Sequence, residues 1–355
     1  MDQRGVMDTV SVADAIAWQA DHAARNGAPG TARIIRAMLA LEEGSSVTAR
    51  RILGWEGLSL RDAMPLRIAG GLHHLMLTGD APQLERVYDG QLTDQADIDV
   101  LVGDLLKRFD ARLLPWLGSP LQTNEAGRSA SFMAALLWLA DGRTTARFSL
   151  LEIGAIAGIN TMMGRYRYRL GKTVVGPVQS AMHIAPEWRG ASPPASAPCI
   201  ADARGCDIAP VDLSDPDQAL RLKAYIWPDA PERMARMDAA IALARETPPR
   251  IDKANAASWL ETMFRQPQRP GITRAVMHSI MWQYMEDAEQ ARCVAAIEAA
   301  GDRAGRDSPL AWVALETNRQ TFAHELRVRY WPGGEDETHL ANAHPHGRWV
   351  KWLGG

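Results

Sequence analysis

Arg147–Arg165, with the sequence RFSLLEIGAIAGINTMMGR, is the stretch that decides the fold of this 355-residue chain. It begins with an apolar run that ends at Glu152, turns through Gly154 and Gly158, and continues with apolar residues at helical spacing. This pattern predicts a strand, a glycine-rich turn and a helix. In an α/β protein such a unit brings unpaired backbone N–H groups to the carboxyl edge of a sheet, where ligands bind.

The segments after this stretch alternate between strand and helix patterns. Apolar runs predict strands that end near Asp207, Asn255 and His278, with helices between them. A hairpin or loop excursion is expected at about 166–200, and the chain closes with two strands joined by Pro332–Gly334. We therefore expect an α/β fold with a doubly wound, Rossmann-like mixed sheet and a terminal antiparallel hairpin.

The first third of the chain has helix patterns separated by Gly and Pro. These patterns predict an all-helical N-terminal domain over residues 1–117, in which one helix covers Asp97–Leu114. The α/β domain would then cover residues 118–355. Within it, Pro216–Glu246 is predicted to form a long helix that is kinked or split at Trp227-Pro228.

Charge and composition exclude several classes of protein. The formal net charge is −3 and the pI is about 6.3, so no basic field would attract nucleic acid or an anionic membrane. The three cysteines form no CxxC pair, and the longest apolar run is too short to cross a bilayer. The first residues lack the basic and apolar segments of a secretion signal. We expect a cytoplasmic protein with no nucleic-acid or membrane partner.

The glycine turn suits S-adenosylmethionine better than a dinucleotide, which requires GxGxxG rather than the GxxxG of Gly154 to Gly158. Glu152 would hold the ammonium group of the cofactor. Exposed backbone at Gly154, Ala155 and Gly158 would admit its carboxylate and ribose. Ile156 stands where many methyltransferases have a middle glycine, so it would crowd the cofactor. The alternative is a tight turn without a ligand.

Two later strand ends supply further candidate contacts for the cofactor. An acid at the end of the next strand, such as Asp207, can accept both ribose hydroxyls. Asn255, after the third strand, could meet the adenine amino group. The alternatives are an ordinary turn acid at Asp207 and a turn-forming amide at Asn255.

Other polar residues would face the substrate. His278 lies at the end of the fourth strand and could act as a general base at neutral pH, although a hydrogen-bonded core or rim histidine fits the same pattern. Gln122 and Asn124, with Glu125 and Arg128, precede an apolar helix and could line the pocket beside the glycine turn. Alternatively, this loop only caps the helix, and both roles are compatible.

Several other residues are weaker candidates for a functional role. Further candidates of the substrate-facing kind are Tyr284, Glu316, His344 and His346. The last two have the spacing of metal ligands on a strand, but no third ligand is evident, so no metal is expected. His73 and His74 lie in an apolar helix, where a packing role is expected. Gly171–Thr173 lacks the first glycine of a phosphate-binding loop, which excludes ATP binding of that kind.

Eight segments together resemble the bacterial domain of unknown function 2332 family. They span most of the chain and read PLRIAGGLHHLMLTGDAP, QTNEAGR, LLEIGAIAGIN, GCDIAPVDL, AYIWPDAPERMARM, HSIMWQY, LAWVALE and HPHGRWVKW. The resemblance implies a Rossmann-type methyltransferase fold behind a helical region, but it implies no established reaction. Members usually have Gly-Ala-Ser-Ala-Gly at the turn, whereas this chain has Ile156 in place of the central serine.

The sequence leaves more than one function open. The first hypothesis is an S-adenosylmethionine-dependent methyltransferase that acts on a small molecule, with catalysis arising mainly from alignment of the reacting atoms. The alternative is a non-catalytic binding or regulatory protein that keeps the same fold. A different nucleotide-using enzyme is the third possibility.

Overall fold

A computed structural model of the chain describes residues 11–56 and 62–354. These residues form a mixed α/β protein with a large, mostly parallel sheet flanked by helices. The α/β fold class expected from the alternation of strand and helix patterns is confirmed.

The chain divides into two compact units. One unit consists of Met1–Thr123 and Asp215–Ala235, and the other consists of Asn124–Ser214 and Arg236–Gly355. The sequence suggested a single boundary after residue 117. No local pattern indicates that a later segment returns to the helical unit.

Several helices begin at a residue whose side chain caps the first turn. Ser11, Ser46 and Asp94 each accept a backbone N–H from the first turn of the helix that follows. Among the described residues, the α-helices in chain order are α1 (Val12–Arg25), α2 (Pro29–Arg36), α3 (Val47–Leu53), α4 (Met64–Leu77), α5 (Glu85–Tyr88), α6 (Gln95–Arg108), α7 (Asp110–Leu117), α8 (Ser129–Ala140), α9 (Pro216–Ala224), α10 (Pro231–Glu246), α11 (Ala256–Arg265) and α12 (Asp287–Gly301).

Two helix predictions have different outcomes. The single helix expected over Asp97–Leu114 is wrong, because the backbone leaves helical geometry at Phe109 (φ −113°, ψ 26°) and separates α6 from α7. Pro115 lies inside α7 rather than ending a helix. The expected interruption at Trp227-Pro228 is confirmed, since these residues lie between α9 and α10.

The helical unit is held together by an aliphatic core and by bonds to its returning segment. Buried core residues include Ile34, Ile35, Met38, Leu72 and Leu106. The returning segment contributes Asp229, whose carboxylate accepts the N–H groups of Gly30 and Thr31 at 2.7 and 2.9 Å, at the start of α2. It also contributes the carbonyl of Ala224, which lies 2.9 Å from Nδ1 of His73 on α4.

The strands of the described residues form one sheet of nine strands and one of three. They are β1 (Arg147–Ile153), β2 (Arg167–Leu170), β3 (Thr173–Val175), β4 (His183–Ile184), β5 (Glu187–Arg189), β6 (Cys199–Asp207), β7 (Ile251–Lys253), β8 (Thr273–Ser279), β9 (Leu310–Thr317), β10 (His324–Trp331), β11 (Gly334–Ala343) and β12 (Trp349–Trp352). The large sheet has the order β5-β12-β11-β10-β9-β8-β1-β6-β7, and the small one β3-β2-β4. The small sheet and β5 lie within the expected excursion at about 166–200.

The parallel part of the large sheet fixes where a ligand can bind. β7, β6, β1, β8 and β9 are parallel neighbours, so the five strands have the order 3-2-1-4-5 when numbered along the chain. The chain leaves β1 toward one side of the sheet and later returns on the other side with β8. The carboxyl ends of β1 and β8 therefore flank the topological switch point, where open α/β sheets bind ligands.

The far side of the sheet is antiparallel, as expected for the end of the chain. β10 pairs antiparallel with both β9 and β11, and β11 pairs antiparallel with β12. The turn between β10 and β11 lies at Pro332–Gly334, as the sequence indicated.

Candidate functional site

The turn after β1 has a backbone that suits glycine. Gly154, Ile156 and Gly158 have φ values of 67°, 52° and 69°, in the left-handed region. A β-carbon on Gly158 would lie 2.6 Å from Cδ1 of Ile251, so a side chain is excluded there by both conformation and space. Left-handed backbone is unfavourable for a β-branched residue, so Ile156 is a strained position of the kind found at functional sites.

Two polar side chains hold this turn in place. Oδ2 of Asp207 accepts the N–H of Ile156 at 3.0 Å, and its Oδ1 accepts the N–H of Ala209 at 2.9 Å. Oδ1 of Asn124 accepts the N–H groups of Ala157 and Ile159 at 3.3 and 3.2 Å. The structure therefore brings Asn124 and Asp207, both expected from the sequence, to the glycine turn.

The helix expected after the turn is wrong as an α-helix. Asn160–Arg165 forms only a short 3₁₀ helix, and β2 begins at Arg167. The N–H of Thr161 bonds to the carbonyl of Gly158 three residues earlier, which is 3₁₀ geometry. The strained turn and the early start of the next strand leave no room for a longer helix.

Glu152 occupies the end of β1 and is only 1% exposed. Its Oε1 accepts a hydrogen bond from Nδ2 of Asn160 at 3.1 Å, while Oε2 accepts none from the described residues. Oδ1 of Asn160 is also buried and accepts no hydrogen bond from them. Burial raises the pKa of Glu152 to about 8, although the hydrogen bond from Asn160 and the charge of Arg128 oppose the rise. The carboxyl group is therefore mostly protonated at neutral pH.

The carboxyl end of β8 carries the candidate His278, whose ring is buried. Nδ1 of His278 lies 2.7 Å from Oε1 of Glu316, and Nε2 lies 2.8 Å from Nε1 of Trp312. The ring also stacks on Trp282, with centroids 4.8 Å apart. Because an indole N–H can only donate, Nε2 of His278 accepts and its proton lies on Nδ1.

Two turns meet across the switch point. Ile280, directly after β8, has a φ of 50°, so a second β-branched residue is in the left-handed region at this edge. Its neighbour Met281 lies against Gly154, since a β-carbon on that glycine would be 2.8 Å from Cγ of Met281. The ends of β1 and β8 are thus in direct contact.

A loop before α8 and a loop before β12 close another side of the site. Nε of the buried Arg128 donates to the carbonyl of Pro345 at 2.8 Å, and Nη1 lies 3.5 Å from Oγ of Ser279. Oε1 of the buried Glu125 lies 3.6 Å from Nδ1 of His346. The pocket-lining loop expected from the sequence therefore lies beside the end of β8.

The remaining residues predicted from the sequence lie in other surroundings. Asn255 is exposed, and its Oδ1 caps α11 by accepting the N–H of Ser258 at 3.4 Å. Tyr284 is 71% exposed. Nδ1 of His344 accepts the N–H of His346 at 3.1 Å. Gln122 falls in the helical unit.

Sequence reasoning missed three residues of this site, namely Asn160, Met281 and Trp312. Asn160 is an amide in an otherwise apolar segment, which is a usable signal for a buried polar partner. Met281 and Trp312 gave no such signal, because apolar residues beside a strand are usually core residues.

The described residues offer neither a metal-binding cluster nor a helix that could span a membrane. Among residues 11–56 and 62–354, no cluster of three or more His, Cys, Asp or Glu side chains could hold a metal ion. Within the same part of the chain, no helix has the length and apolar character needed to span a bilayer.

Comparison with known proteins gives one match. Residues 13–352 match a family described as "Uncharacterized protein conserved in bacteria (DUF2332)". No curated protein and no solved structure matches the chain.

Proposed function

The chain belongs to this uncharacterised bacterial family, DUF2332, and because family membership assigns no reaction we propose a function from the site itself: an S-adenosylmethionine-dependent methyltransferase that acts on a small molecule. The order of the parallel strands and the glycine turn at the switch point support the proposal.

The observation that carries the proposal is the buried carboxyl group of Glu152. Its Oε2 has no hydrogen-bond partner among the described residues, and the nearby Oδ1 of Asn160 has none either. Buried polar atoms without partners are rare in folded proteins, and each calls for an explanation such as a bound ion or water. An ammonium group supplies three N–H donors and a positive charge, so the amino group of the cofactor would suit the carboxylate form of Glu152 together with Oδ1 of Asn160.

Asp207 keeps the capacity to bind the ribose of the cofactor. Each carboxylate oxygen has two lone-pair directions, and the two backbone N–H groups use one on each oxygen. One direction per oxygen remains, which matches two adjacent ribose hydroxyls. Oδ1 of Asn255 already accepts the capping bond from Ser258, so Asn255 would contact the adenine with the second lone pair of this oxygen or with its amide N–H groups.

Once bound, the cofactor would supply an activated methyl group. The chain would then bind the substrate, orient it against the methyl group and exclude water from the site. These effects alone can accelerate a reaction greatly. His278 would fix the turn from Ser279 to Met281 through Glu316, since Oε1 of Glu316 also accepts the N–H of Met281 at 3.3 Å. The amide of Asn124 would orient the substrate, and a role for Gln122 stays a prediction.

Calorimetric titration with S-adenosylmethionine and S-adenosylhomocysteine tests the binding step. We expect binding in the micromolar range for the wild-type chain and a loss of at least tenfold in Glu152→Ala, equal to about 1.4 kcal/mol. The exposed Asp336→Ala, which also removes a carboxylate, should bind as the wild type does. If neither ligand binds below about 1 mM, the proposal is wrong.

A second candidate function is a non-catalytic cofactor-binding protein. It is favoured by the geometry of His278, whose two ring nitrogens both have partners and leave no lone pair for a proton. Incubation of a bacterial metabolite extract with trideuteriomethyl-labelled cofactor distinguishes the two. A labelled product that forms with the native chain but not with heat-inactivated chain supports methyl transfer. Cofactor binding without any labelled product supports the second candidate.

A further inference from the structure

Met281 fills the space over the glycine turn. A β-carbon built on Gly154 would lie 2.8 Å from Cγ of Met281, 3.0 Å from its Cβ and 3.1 Å from its Cε. The thioether chain of Met281 therefore lies along the bare backbone of Gly154. This is the surface that a cofactor would approach at the switch point.

The backbone around Met281 directs its side chain to this position. Ile280 has a φ of 50°, and its N–H donates to the carbonyl of Leu315 at 3.0 Å. Oε1 of Glu316 accepts the N–H of Met281, and the same oxygen pairs with Nδ1 of His278. A strained residue and a shared carboxylate thus fix the backbone of Met281, and its unbranched side chain can reorient by rotation about its own single bonds.

We propose that Met281 controls access to the cofactor site, because its side chain occupies the position over Gly154 that the methionyl chain of S-adenosylmethionine would take. This inference rests on the proposed function. The two chains share the same Cβ–Cγ–S–C sequence of atoms, so a surface that packs one can pack the other. Methionine is unbranched and flexible, so its displacement requires only rotation about side-chain bonds.

The consequence for affinity follows from population arithmetic. If only a fraction of molecules has Met281 rotated away, the apparent dissociation constant equals the intrinsic constant divided by that fraction. A variant that cannot fill the space is always accessible and should bind more tightly. A neighbouring methionine that does not contact Gly154 should have no such effect.

Titration of three variants with S-adenosylhomocysteine tests the inference. We expect Met281→Ala to bind about tenfold more tightly than the wild type. Met281→Gln keeps the length of the side chain, but its amide favours water over the apolar surface of Gly154, so this variant should also bind the ligand more tightly. It keeps the test valid if the alanine variant fails to fold. Met285→Ala is the matched control, since Met285 is also partly buried in the same apolar cluster, and its affinity should be unchanged.

The outcomes separate this inference from the proposed function. Tighter binding by both Met281 variants than by the wild type supports it. Equal affinity in the wild type and both variants overturns the role of Met281 but leaves the proposed function intact. Weaker binding in both variants also overturns it, because Met281 would then be a favourable contact. If no variant binds, the proposed function fails and this inference fails with it.

Discussion

Nε1 of Trp312 donates a 2.8 Å hydrogen bond to Nε2 of His278, so the imidazole lone pair that a general base would need is already engaged. On the other side of the ring, Nδ1 pairs with Glu316. The base role expected for His278 from the sequence would require the bond to Trp312 to break. The intact arrangement instead links His278 at the end of β8 with two residues of β9, Trp312 and Glu316, into one support for the turn after β8.

Replacement of Trp312 by phenylalanine tests the strength of this support. Trp312→Phe removes the indole donor and leaves Nε2 of the buried His278 unsatisfied, which should lower the free energy of unfolding by about 1–3 kcal/mol. Trp282→Phe is the control, because Trp282 stacks on the same imidazole. Its loss should be smaller, about 1 kcal/mol. Equal losses in urea denaturation would show that the hydrogen bond contributes nothing beyond ring packing.

Glu152 should make stability depend on pH in an unusual direction. Burial raises its pKa to about 8, from an ordinary value of 4.5. Between these values the folded state holds a proton that the unfolded state has released. The free energy of unfolding should therefore fall as pH rises from 4.5 to 8, by up to about 1.4 kcal/mol per pH unit from this group.

Glu152→Gln isolates that contribution. The glutamine amide resembles the protonated acid in shape but has no proton to lose, so the variant should lose less stability between pH 5 and pH 8. The exposed Glu232→Gln should leave the pH profile unchanged. Parallel profiles for Glu152→Gln and the wild type, measured by urea denaturation, would contradict the raised pKa.

Cofactor binding should release a proton in mildly acidic buffer. At pH 6.5 Glu152 is protonated, and the α-amino group of the ligand, whose pKa is well above this pH, is charged. Pairing the two requires the carboxylate form, so S-adenosylhomocysteine should displace about one proton per site. Calorimetry in buffers of different ionisation enthalpy measures this number. Glu152→Gln should release none, and a wild-type value of zero would place the ammonium group elsewhere.

Local sequence patterns were sufficient to predict some strands and helices and not others. The strand that ends at Glu152 and the antiparallel strands around Pro332–Gly334 were predictable, because apolar runs and turn residues are local signals. The helix expected after Gly158 is a short 3₁₀ segment, because Asp207 and Asn124 hold the turn from distant positions in the chain. The return of Asp215–Ala235 to the helical unit also depends on contacts between residues that are far apart in the chain, so no local signal indicated it.

The candidate site was predictable only in its polar residues. Asp207 and Asn124 were recognisable because polar residues at strand ends and in loops commonly contact ligands or hold turns through hydrogen bonds. Met281 was not recognisable, since its contact with Gly154 depends on the left-handed backbone of Ile280. Isoleucine rarely adopts that conformation, so the sequence argues against the turn that forms.

His73 should destabilise the helical unit in acid. Burial lowers the pKa of its imidazole to about 4, from an ordinary value of 6.5, despite the hydrogen bond to the carbonyl of Ala224. Between these values the unfolded state binds a proton that the folded state does not. The contribution of this group to the free energy of unfolding should therefore fall as pH decreases from 6.5 to 4, opposite in sign to the contribution of Glu152 over the range that they share. His73→Gln should flatten this part of the profile, whereas the exposed His183→Gln should not.

Asp229 should stabilise the start of α2. It accepts the N–H groups of Gly30 and Thr31 and also the Thr31 hydroxyl at 2.6 Å, all at a helix N-terminus that favours a negative charge. Asp229→Ala removes every one of these bonds and should cost about 2–3 kcal/mol of unfolding free energy. Asp229→Asn keeps one acceptor oxygen and should lose less. Asp217→Ala, an exposed acid in the same returning segment, is the control and should cost about 0.5 kcal/mol. If thermal and urea denaturation show equal losses for the two alanine variants, the capping bonds of Asp229 do not hold the returning segment to α2.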